Sequence, residues 1–479
     1  MTAGVDEAGV TPLRERMRSA LVERVGISRR KATMAVLLSG AFTVSFTITL
    51  LVVVLDTVAK DLDSTVSVVS WSITAPMLVF AVVGPAFGTL GDLIGHKRVF
   101  VGGLLGAGIF AGLAALAPNA PLLIALRTLS AACGSATGPS AMAFTNRLFE
   151  PHERVRPLGF WSFVTAGAPV LGVVAGVPLV ASVGWRIIFL VQAPLCVLGA
   201  LVAWWLLRDT DRKPGAKFDA VGALTLGLGA ALILLAINRA GSWGWTSPLI
   251  IAALFGGVGL LWVFFRVEHR VTAPIVPPHW FRTRNVAFPV LSQSLANFGY
   301  MGAFMIVPQM LQEGAGLSLA TVGWLIIARP LTFAIVAPLG ANVTMRTGER
   351  FAGMFGAMTV FTSMVILSTV RIGTPLWLIA FGLALSGLGL GVSSPAMSAL
   401  LANAVEDDQL GAASALQQLV SQMGALLGAT VMITVQEATN EQGILPSYAN
   451  ALVVGASLCV VAGLLASEVR STDRTSTTA

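Results

Sequence analysis

Charge is scarce in this 479-residue chain, because only 11% of its residues are Asp, Glu, Lys or Arg while 55% are hydrophobic. A soluble globular domain carries about 25% charged residues, so this composition excludes an ordinary water-soluble protein. The apolar residues stand in runs of about twenty, the length at which a helix crosses the hydrocarbon core of a bilayer. We therefore expect an all-α integral membrane protein.

Cysteine and histidine are also rare, with three and four residues respectively. Cys133, Cys196 and Cys459 fall in separate apolar runs, which argues against a disulfide framework. The histidines lack the spacing of metal ligands, and the sequence has no Gly-x-x-x-x-Gly-Lys-Ser/Thr loop for binding a nucleotide. No Ser-His-Asp set falls within the apolar runs. We expect no metal, no cofactor and no enzymatic activity.

The basic residues flank the apolar runs and do not cluster on one face, so the net charge of +7 does not indicate nucleic-acid binding. With an even number of spans and a cytoplasmic N-terminus, 24 of the 30 Lys and Arg residues fall on cytoplasmic segments. Four fall outside and two, Arg127 and Arg329, lie within spans. The positive-inside rule therefore predicts that both termini are cytoplasmic in a multi-pass protein of the cell (inner) membrane.

We predict fourteen transmembrane helices. The runs are 34–55, 68–90, 99–117, 121–144, 158–180, 187–207, 219–238, 248–265, 286–311, 319–340, 352–370, 375–396, 412–434 and 449–467. Residues 1–33 carry seven basic side chains, which fits either an interfacial helix or a disordered tail. Residues 468–479 end in a Ser/Thr-rich stretch that we expect to be disordered.

The loop after the second run holds three glycines, one acid and a basic pair in a chain with little charge. Its members are Gly88, Gly91, Asp92, Gly95, Lys97 and Arg98. A degenerate copy, Gly340–Arg350, follows the tenth run, with Thr344 in place of the acid. Internal repeats of this kind are typical of transporters whose substrate site lies between two halves.

The spacing of the two loops predicts two six-helix bundles with two inserted helices. The expected segments are 1–33 (N-terminal segment), 34–207 (first bundle), 208–265 (inserted helices), 266–284 (cytoplasmic linker), 285–467 (second bundle) and 468–479 (tail).

The loop and its copy make the chain resemble the fourteen-helix drug:proton antiporter branch of the major facilitator superfamily. The resemblance implies that Gly88–Arg98 is a conformational switch, with Asp92 as its anchoring acid. It implies a role in proton transfer for Arg127 and matches Pro169, Gly172 and Gly176 to an antiporter motif in the fifth helix. Close helix packing alone would explain these small residues equally well.

One departure concerns proton coupling. By alignment to this family, Thr47 stands where the first helix normally carries an aspartate. The proton-coupling candidates are then the three acids available in the outer half, Asp56, Glu313 and Glu437, and the arginine Arg127. We hypothesise that Asp56 pairs with Arg127, whereas an Asp56 that only caps the first helix is the alternative. Each acid could also be a solvated loop charge.

A substrate cavity is expected between the bundles, because the ninth helix combines amides, aromatic rings and methionine on one face. The candidates are Phe46, Trp161, Gln293, Asn297, Tyr300, Met301, Phe304, Arg329, Gln417 and Gln418. Hydrogen bonds between helices are the alternative role for the polar members. Arg329 could bind an anionic headgroup or pair with a carbonyl that Pro330 leaves free.

These observations and the resemblance predict a secondary active exporter of lipophilic drugs, cations or amphiphiles, working by alternating access and coupled to proton entry. An exporter of a lipid or an endogenous metabolite on the same scaffold is the alternative. The expected partners are a lipophilic small molecule, protons and membrane lipids. We expect a monomer.

Overall fold

The structure is a computed structural model, and it describes residues 28–208, 219–271 and 276–471. All regular secondary structure in these ranges is helical. The first long helices are α1 (Arg29–Val53), α2 (Trp71–Ile94), α3 (His96–Ala115), α4 (Ala120–Gly134, continued as Thr137–Leu148), α5 (Val155–Val183) and α6 (Ile187–Leu206). They are followed by α7 (Ala220–Trp243) and α8 (Pro248–Glu268). The last are α9 (Arg284–Gln309), α10 (Leu319–Thr347), α11 (Glu349–Ser368), α12 (Leu376–Asn403), α13 (Leu410–Ala438) and α14 (Ile444–Ser467).

Short helical segments connect some of these helices. They are Leu55–Asp61 and Val66–Val69 before α2, Pro278–Arg282 before α9, the π-helical turn Met310–Gly314 after α9, Asp407–Gln409 before α13 and Asn440–Gln442 before α14.

Each predicted apolar run overlaps one of the long helices, in the predicted order, although some runs pass the helix end, as 99–117 passes Ala115. Several helices extend beyond the run; α10 ends at Thr347 and α12 at Asn403, where the apolar runs end at 340 and 396. The backbone hydrogen bonding of a helix does not depend on the hydropathy of its side chains, so hydropathy locates a helix without fixing its ends. Within the described residues, eleven helices are long and apolar enough to cross a membrane. The predicted N-terminal segment up to residue 27 and the tail from residue 472 lie outside the described residues.

Two sharp corners of the same kind join α2 to α3 and α10 to α11. Gly95 has φ 99° and Gly348 has φ 95°, a backbone region that favours glycine because it has no Cβ. The residues after the corners, His96 and Glu349, are both buried. The second loop therefore repeats the corner of the first. Its corner glycine, Gly348, is the ninth residue from Gly340, whereas Gly95 is the eighth residue from Gly88. We call the end of the molecule that carries both corners the basic end.

The first six helices share two cores. α3 packs along α6 and α1 packs along α5. One core surrounds Phe189 and Leu123 near the end opposite the basic end, and the other surrounds Phe100 and Leu104 nearer the basic end. We call helices α1–α6 the first half.

The last six helices, α9–α14, form the second half. Their main core surrounds Met364, Met432 and Tyr448 and includes residues of α9, α10, α11, α12, α13 and α14. The halves meet along two seams, because α2 packs on α13 and α5 packs on α10.

Helices α7 and α8 pack on each other beside the first of these seams. α7 contacts α2 and α13, and the Thr430 hydroxyl on α13 donates a hydrogen bond of 3.0 Å to the Ile237 carbonyl oxygen on α7. α8 exposes most of its apolar surface, with Phe255 76% and Leu249 67% exposed. Because α8 is apolar on its exposed surface, it needs a lipid environment.

Candidate functional site

A cavity of about 280 Å³ lies between the two halves, where α1, α4 and α5 face α9, α12 and α13. Aromatic and sulfur side chains of both halves contribute to its wall, including Phe80, Trp161, Met142 and Phe333. Its polar lining consists of Ser45, Thr137, Ser162, Thr165, Gln293, Asn297, Ser394, Ser398, Ser414, Gln417, Gln418, Ser421 and Gln422. Every one of these polar groups is an amide or a hydroxyl, so the described wall is uncharged. Apolar walls with a few fixed polar groups are typical of small-molecule sites.

Several of the polar groups are already paired across helices. Asn297 Nδ2 donates to Ser421 Oγ at 2.6 Å, and Gln417 Nε2 donates to Ser398 Oγ at 3.0 Å. The buried Oε1 of Gln293 has no hydrogen-bond partner among the described residues. An amide oxygen without a donor is a place where a ligand N–H or O–H, or a water molecule, can bind.

The structure brings five of the ten predicted cavity residues together at this wall: Trp161, Gln293, Asn297, Gln417 and Gln418. The other five lie elsewhere. Phe46 stacks on Phe42, Met301 is exposed, Phe304 is half-buried, and Tyr300 and Arg329 are buried inside the second half. The wall also contains residues that the sequence did not single out, such as Ser162, Ser414 and Gln422.

At the basic end, Asp92 connects the two halves. Its side chain is 5% exposed, and its Oδ1 lies 2.8 Å from His96 Nε2 in the same loop. Its Oδ2 accepts a hydrogen bond of 3.3 Å from the backbone N–H of Ala412, in the first turn of α13. A carboxylate at the N-terminus of a helix is stabilised by the free N–H groups and the helix dipole.

A second connection of opposite sign lies beside the first. Arg154, just before α5, is 6% exposed, and its Nη1 donates to the Ala402 carbonyl oxygen at 3.0 Å and to Asn403 Oδ1 at 2.9 Å. These residues end α12, so the cation lies at the negative end of that helix. Burial lowers the pKa of the Arg154 guanidinium from its ordinary value, and the nearby Asp407 carboxylate opposes this effect.

Arg147, at the end of α4, extends the same contact zone. Its Nε and Nη2 both donate to the Asp407 carbonyl oxygen, at 3.2 and 2.9 Å, and its Nη2 lies 3.7 Å from Asp92 Oδ1. In the sequence, Arg147 and Arg154 count only as positive-inside residues. No sequence signal distinguishes them, because the partners that connect them to the second half lie more than 200 positions away.

At the same end, the backbones of the two halves come into close contact. A Cβ on Gly88 would lie 2.5 Å from the Gly411 carbonyl oxygen, and a Cβ on Gly159 would lie 2.6 Å from the Ala337 carbonyl oxygen. These contacts belong to the α2–α13 and α5–α10 seams respectively. The predicted switch loop therefore lies where the halves touch, and Gly88 permits the contact because it has no side chain.

Arg127, on α4, is buried in the first half towards the end opposite the basic end. Its Nε donates to the Ser72 carbonyl oxygen at 3.3 Å, and its guanidinium carbon lies 5.3 Å from the Phe189 ring centroid. It lines a smaller cavity of about 50 Å³ with Thr47 and Gln192, and the described lining of that cavity contains no acid. The predicted partner Asp56 lies on the segment Leu55–Asp61, but its side chain is outside the described residues.

The other proton-coupling candidates lie at the same far end of the second half. The Tyr448 hydroxyl donates to Glu313 Oε2 at 3.0 Å, and Glu313 is carried by the π-helical turn after α9. Tyr448 is 1% exposed, whereas Glu313 and Glu437 are exposed. Short π-helical turns are frequent at functional sites.

Arg329 is a second buried cation, 1% exposed, on α10. Its guanidinium lies over the Tyr300 ring, 3.8 Å from the centroid, and its Nη2 donates to the Tyr300 carbonyl oxygen. Its Nε and Nη1 have no hydrogen-bond partner among the described residues. Cation–π contact and one carbonyl thus replace an acidic partner at this depth.

In the predicted antiporter motif of α5, a Cβ on Gly172 would lie 2.2 Å from the Phe46 carbonyl oxygen of α1. α1 and α5 therefore pack backbone to backbone at this point, which requires glycine. The contacts of Pro169 and Gly176 lie outside what the structure describes.

Comparison with known proteins gives a family assignment. A sequence profile of the Major Facilitator Superfamily matches residues 37–222 and 290–477. The puromycin resistance protein pur8 of Streptomyces alboniger is 30% identical over 413 residues, covering 85% of this chain and 82% of that protein. The methylenomycin A resistance protein of Streptomyces coelicolor is 27% identical over 395 residues, covering 80% and 81%.

Among solved structures, the human organic anion transporter MFSD10 superimposes with a TM-score of 0.68 at 15% identity, covering 91% of this chain and 99% of that one. At this identity the likeness concerns the fold alone. The gap between the two profile matches, residues 223–289, contains most of α7 and all of α8. The chain belongs to the Major Facilitator Superfamily, as a multi-pass membrane transporter related to its drug- and antibiotic-resistance proteins.

Proposed function

We propose that this protein is a secondary active exporter that moves amphiphilic small molecules out of the cell by alternating access. One observation carries the proposal. An uncharged cavity lies between two halves whose contacts at the basic end are hydrogen bonds to helix termini, backbone approaches at glycines and two small apolar clusters, one around Leu158 and Ala341 and one around Ala143 and Leu410. These apolar clusters are much smaller than the cores within each half, so the two halves can separate at this end and rock about the cavity.

In this proposal all fourteen helices cross the membrane, and the basic end is cytoplasmic because of the positive-inside rule. The segment boundaries are those predicted from the sequence, with bundles at 34–207 and 285–467 and an insert at 208–265. Both termini are then cytoplasmic in the cell membrane, and the chain works as a monomer. The described conformation corresponds to a state that is closed towards the cytoplasm.

The wall chemistry supports a substrate that is amphiphilic and carries no concentrated charge. Aromatic rings and methionine adapt to different apolar shapes, while amides and hydroxyls supply both donors and acceptors. Relatives are named for resistance to puromycin, methylenomycin A and tetracenomycin C. We propose antibiotics of comparable size as substrates, although the same wall also suits a lipid or an endogenous metabolite, which is the second candidate.

Proton entry is the proposed driving force, with Glu313 as the first candidate for the coupling acid. Its carboxylate accepts a hydrogen bond from the buried Tyr448, and it lies on the π-helical turn at the end opposite the basic end. Asp56 and Glu437 are the other candidate acids, and Arg127 is the candidate basic residue for proton coupling. Thr47 stands where the family resemblance places an aspartate. In this proposal proton coupling therefore follows a different route from the one that the resemblance implies.

Transport by everted membrane vesicles tests the proposal. We expect vesicles containing the protein to accumulate puromycin or a fluorescent amphiphile when respiration acidifies their interior, and to lose the signal when an uncoupler is added. Glu313→Gln should lower this accumulation at least tenfold, whereas Glu441→Gln, an exposed acid at the same end, should leave it unchanged. Flipping of a labelled lipid in the same vesicles without accumulation of any drug would favour the second candidate.

A further inference from the structure

A groove opens sideways between α3 and α6 at the basic end, away from both seams. Its volume is about 380 Å³, and it is lined by Arg98, Gly102, Leu105, Leu201 and Trp204 over a floor of Val101 and Ala200. Leu201 is 57% exposed and Trp204 is 49% exposed, so the groove belongs to the outer surface of the helical bundle.

The shape of the groove follows from small residues on α3. A Cβ on Gly102 would meet no atom within 4 Å, so the space beside it is open. Farther from the basic end the two helices close together, because a Cβ on Gly108 would lie 2.9 Å from Cys196 Cβ and 3.0 Å from the Ala193 carbonyl oxygen. The result is an apolar channel that begins at the basic end and runs along the helices towards the middle of the membrane.

The mouth of the channel carries positive charge. Arg98 is exposed and lines the groove, while the buried Lys97 lies behind it, with its Nζ 5.0 Å from the centroid of the Trp204 ring. Tryptophan is enriched at the level of lipid headgroups, and an exposed arginine there attracts anionic headgroups by about 1 kcal/mol. An amphiphile with a negative headgroup and an acyl chain satisfies both parts of the groove.

We propose that this groove binds one anionic phospholipid, with the phosphate at Arg98 and one acyl chain along Gly102, Leu105 and Leu201. The site is separate from the substrate cavity and does not depend on the transport proposal. Arg98 belongs to the same loop as Asp92, six residues apart in the sequence. The bound lipid would hold the outer face of this loop while Asp92 holds α13 on its inner face.

Native mass spectrometry of the delipidated full-length protein, titrated with phosphatidylglycerol or phosphatidylcholine of identical chains, tests this site. We expect one phosphatidylglycerol to bind more tightly than phosphatidylcholine, because choline balances the phosphate charge of the second lipid. Arg98→Gln should weaken phosphatidylglycerol binding about fivefold, the equivalent of about 1 kcal/mol, and weaken phosphatidylcholine binding clearly less. Gly102→Leu should weaken both lipids, because the leucine fills the channel.

Arg266→Gln is the matched control, because Arg266 is an exposed cation beside an exposed tryptophan at the basic end, with its guanidinium 4.4 Å from the Trp262 ring centroid, but lies outside the groove. Glycerol 3-phosphate, the headgroup without chains, should not displace phosphatidylglycerol. The proposal is overturned by equal binding of both lipids to the wild type, by equal effects of Arg98→Gln and Arg266→Gln, by full binding to Gly102→Leu, or by competition from glycerol 3-phosphate.

Discussion

Asp92→Asn isolates the contribution of one negative charge to closure of the basic end. One carboxylate oxygen hydrogen-bonds to His96 Nε2, and the other accepts a hydrogen bond from the Ala412 backbone N–H. The amide keeps one oxygen, so it can satisfy Ala412 while His96 adopts the tautomer that accepts from the amide. The main loss is therefore the interaction of the charge with the helix N-terminus.

That interaction contributes about 0.3–1 kcal/mol at exposed helix ends and up to ~2 kcal/mol in partly buried geometries. Asp92 is almost completely buried, so we expect a loss of about 1–2 kcal/mol. The equilibrium between closed and open states of the basic end should then shift about 5–30-fold towards the open state. The weak pair with Arg147, at 3.7 Å, adds little because Arg147 is partly exposed.

Double electron–electron resonance measures this equilibrium directly. Spin labels at Glu150 and Glu406, both exposed at the basic end in different halves, report the separation of the halves. The wild type should show mainly the short distance, and Asp92→Asn should gain a population at longer distance. Asp61→Asn is the control, because Asp61 pairs with Arg186 within the first half. An unchanged distance distribution in Asp92→Asn would refute the reasoning.

Three other predictions follow from single contacts. Gly88→Ala should open the basic end in the same spin-label assay, because its Cβ meets the Gly411 carbonyl oxygen, whereas Gly84→Ala, with no atom within 4 Å, should not. Trp161→Ala should raise the KM for puromycin transport at least tenfold, as expected for ~1.5–3 kcal/mol of aromatic burial, whereas Trp262→Ala on the outer surface should not. Hydrogen bonds from Arg186 and Trp185 hold the pKa of the Asp61 carboxyl below its ordinary value. The stability that Asp61 adds is therefore present above about pH 4 and disappears as the pH falls through the lowered pKa. The melting temperatures of the wild type and Asp61→Asn should converge at low pH, and a difference that persists there would contradict this prediction.

Hydropathy predicted the order and approximate positions of the helices because each apolar run must bury its backbone polar groups in a helix when it lies in lipid. The ends were less predictable. α12 continues to Asn403, and this extension supplies the carbonyl oxygens that Arg154 contacts. Most of the extension is still apolar (Met397, Ala399, Leu400, Leu401 and Ala402), so hydropathy does not mark the point at which this helix ends.

The substrate face of α9 illustrates a second limit. Periodicity grouped Gln293, Asn297, Tyr300, Met301 and Phe304 on one face, and the structure turns only the first two to the cavity. The helix packs along α13 at one level, where the Ser294 hydroxyl donates to the Val420 carbonyl oxygen, and beside Arg329 at another. Sequence periodicity defines a face of a helix, but its neighbours determine which part of that face is covered.

The residues that connect the halves at the basic end divide in the same way. The sequence singles out Asp92 because an isolated acid among three glycines is rare in such a chain, and the glycines indicate close contacts between helices. It does not single out Arg147 and Arg154, because arginine at the end of a span is common and several of their acceptors are main-chain oxygens, which leave no trace in the sequence.

Uptake into purified proteoliposomes tests the central claim most directly, because only the protein, the lipid, the solute and the imposed gradient are present. We predict that an inside-acid gradient drives accumulation of puromycin or a fluorescent amphiphile against its concentration gradient, and that Trp161→Ala reduces it. Folded, correctly inserted protein that accumulates neither compound, with or without the gradient, would contradict the account.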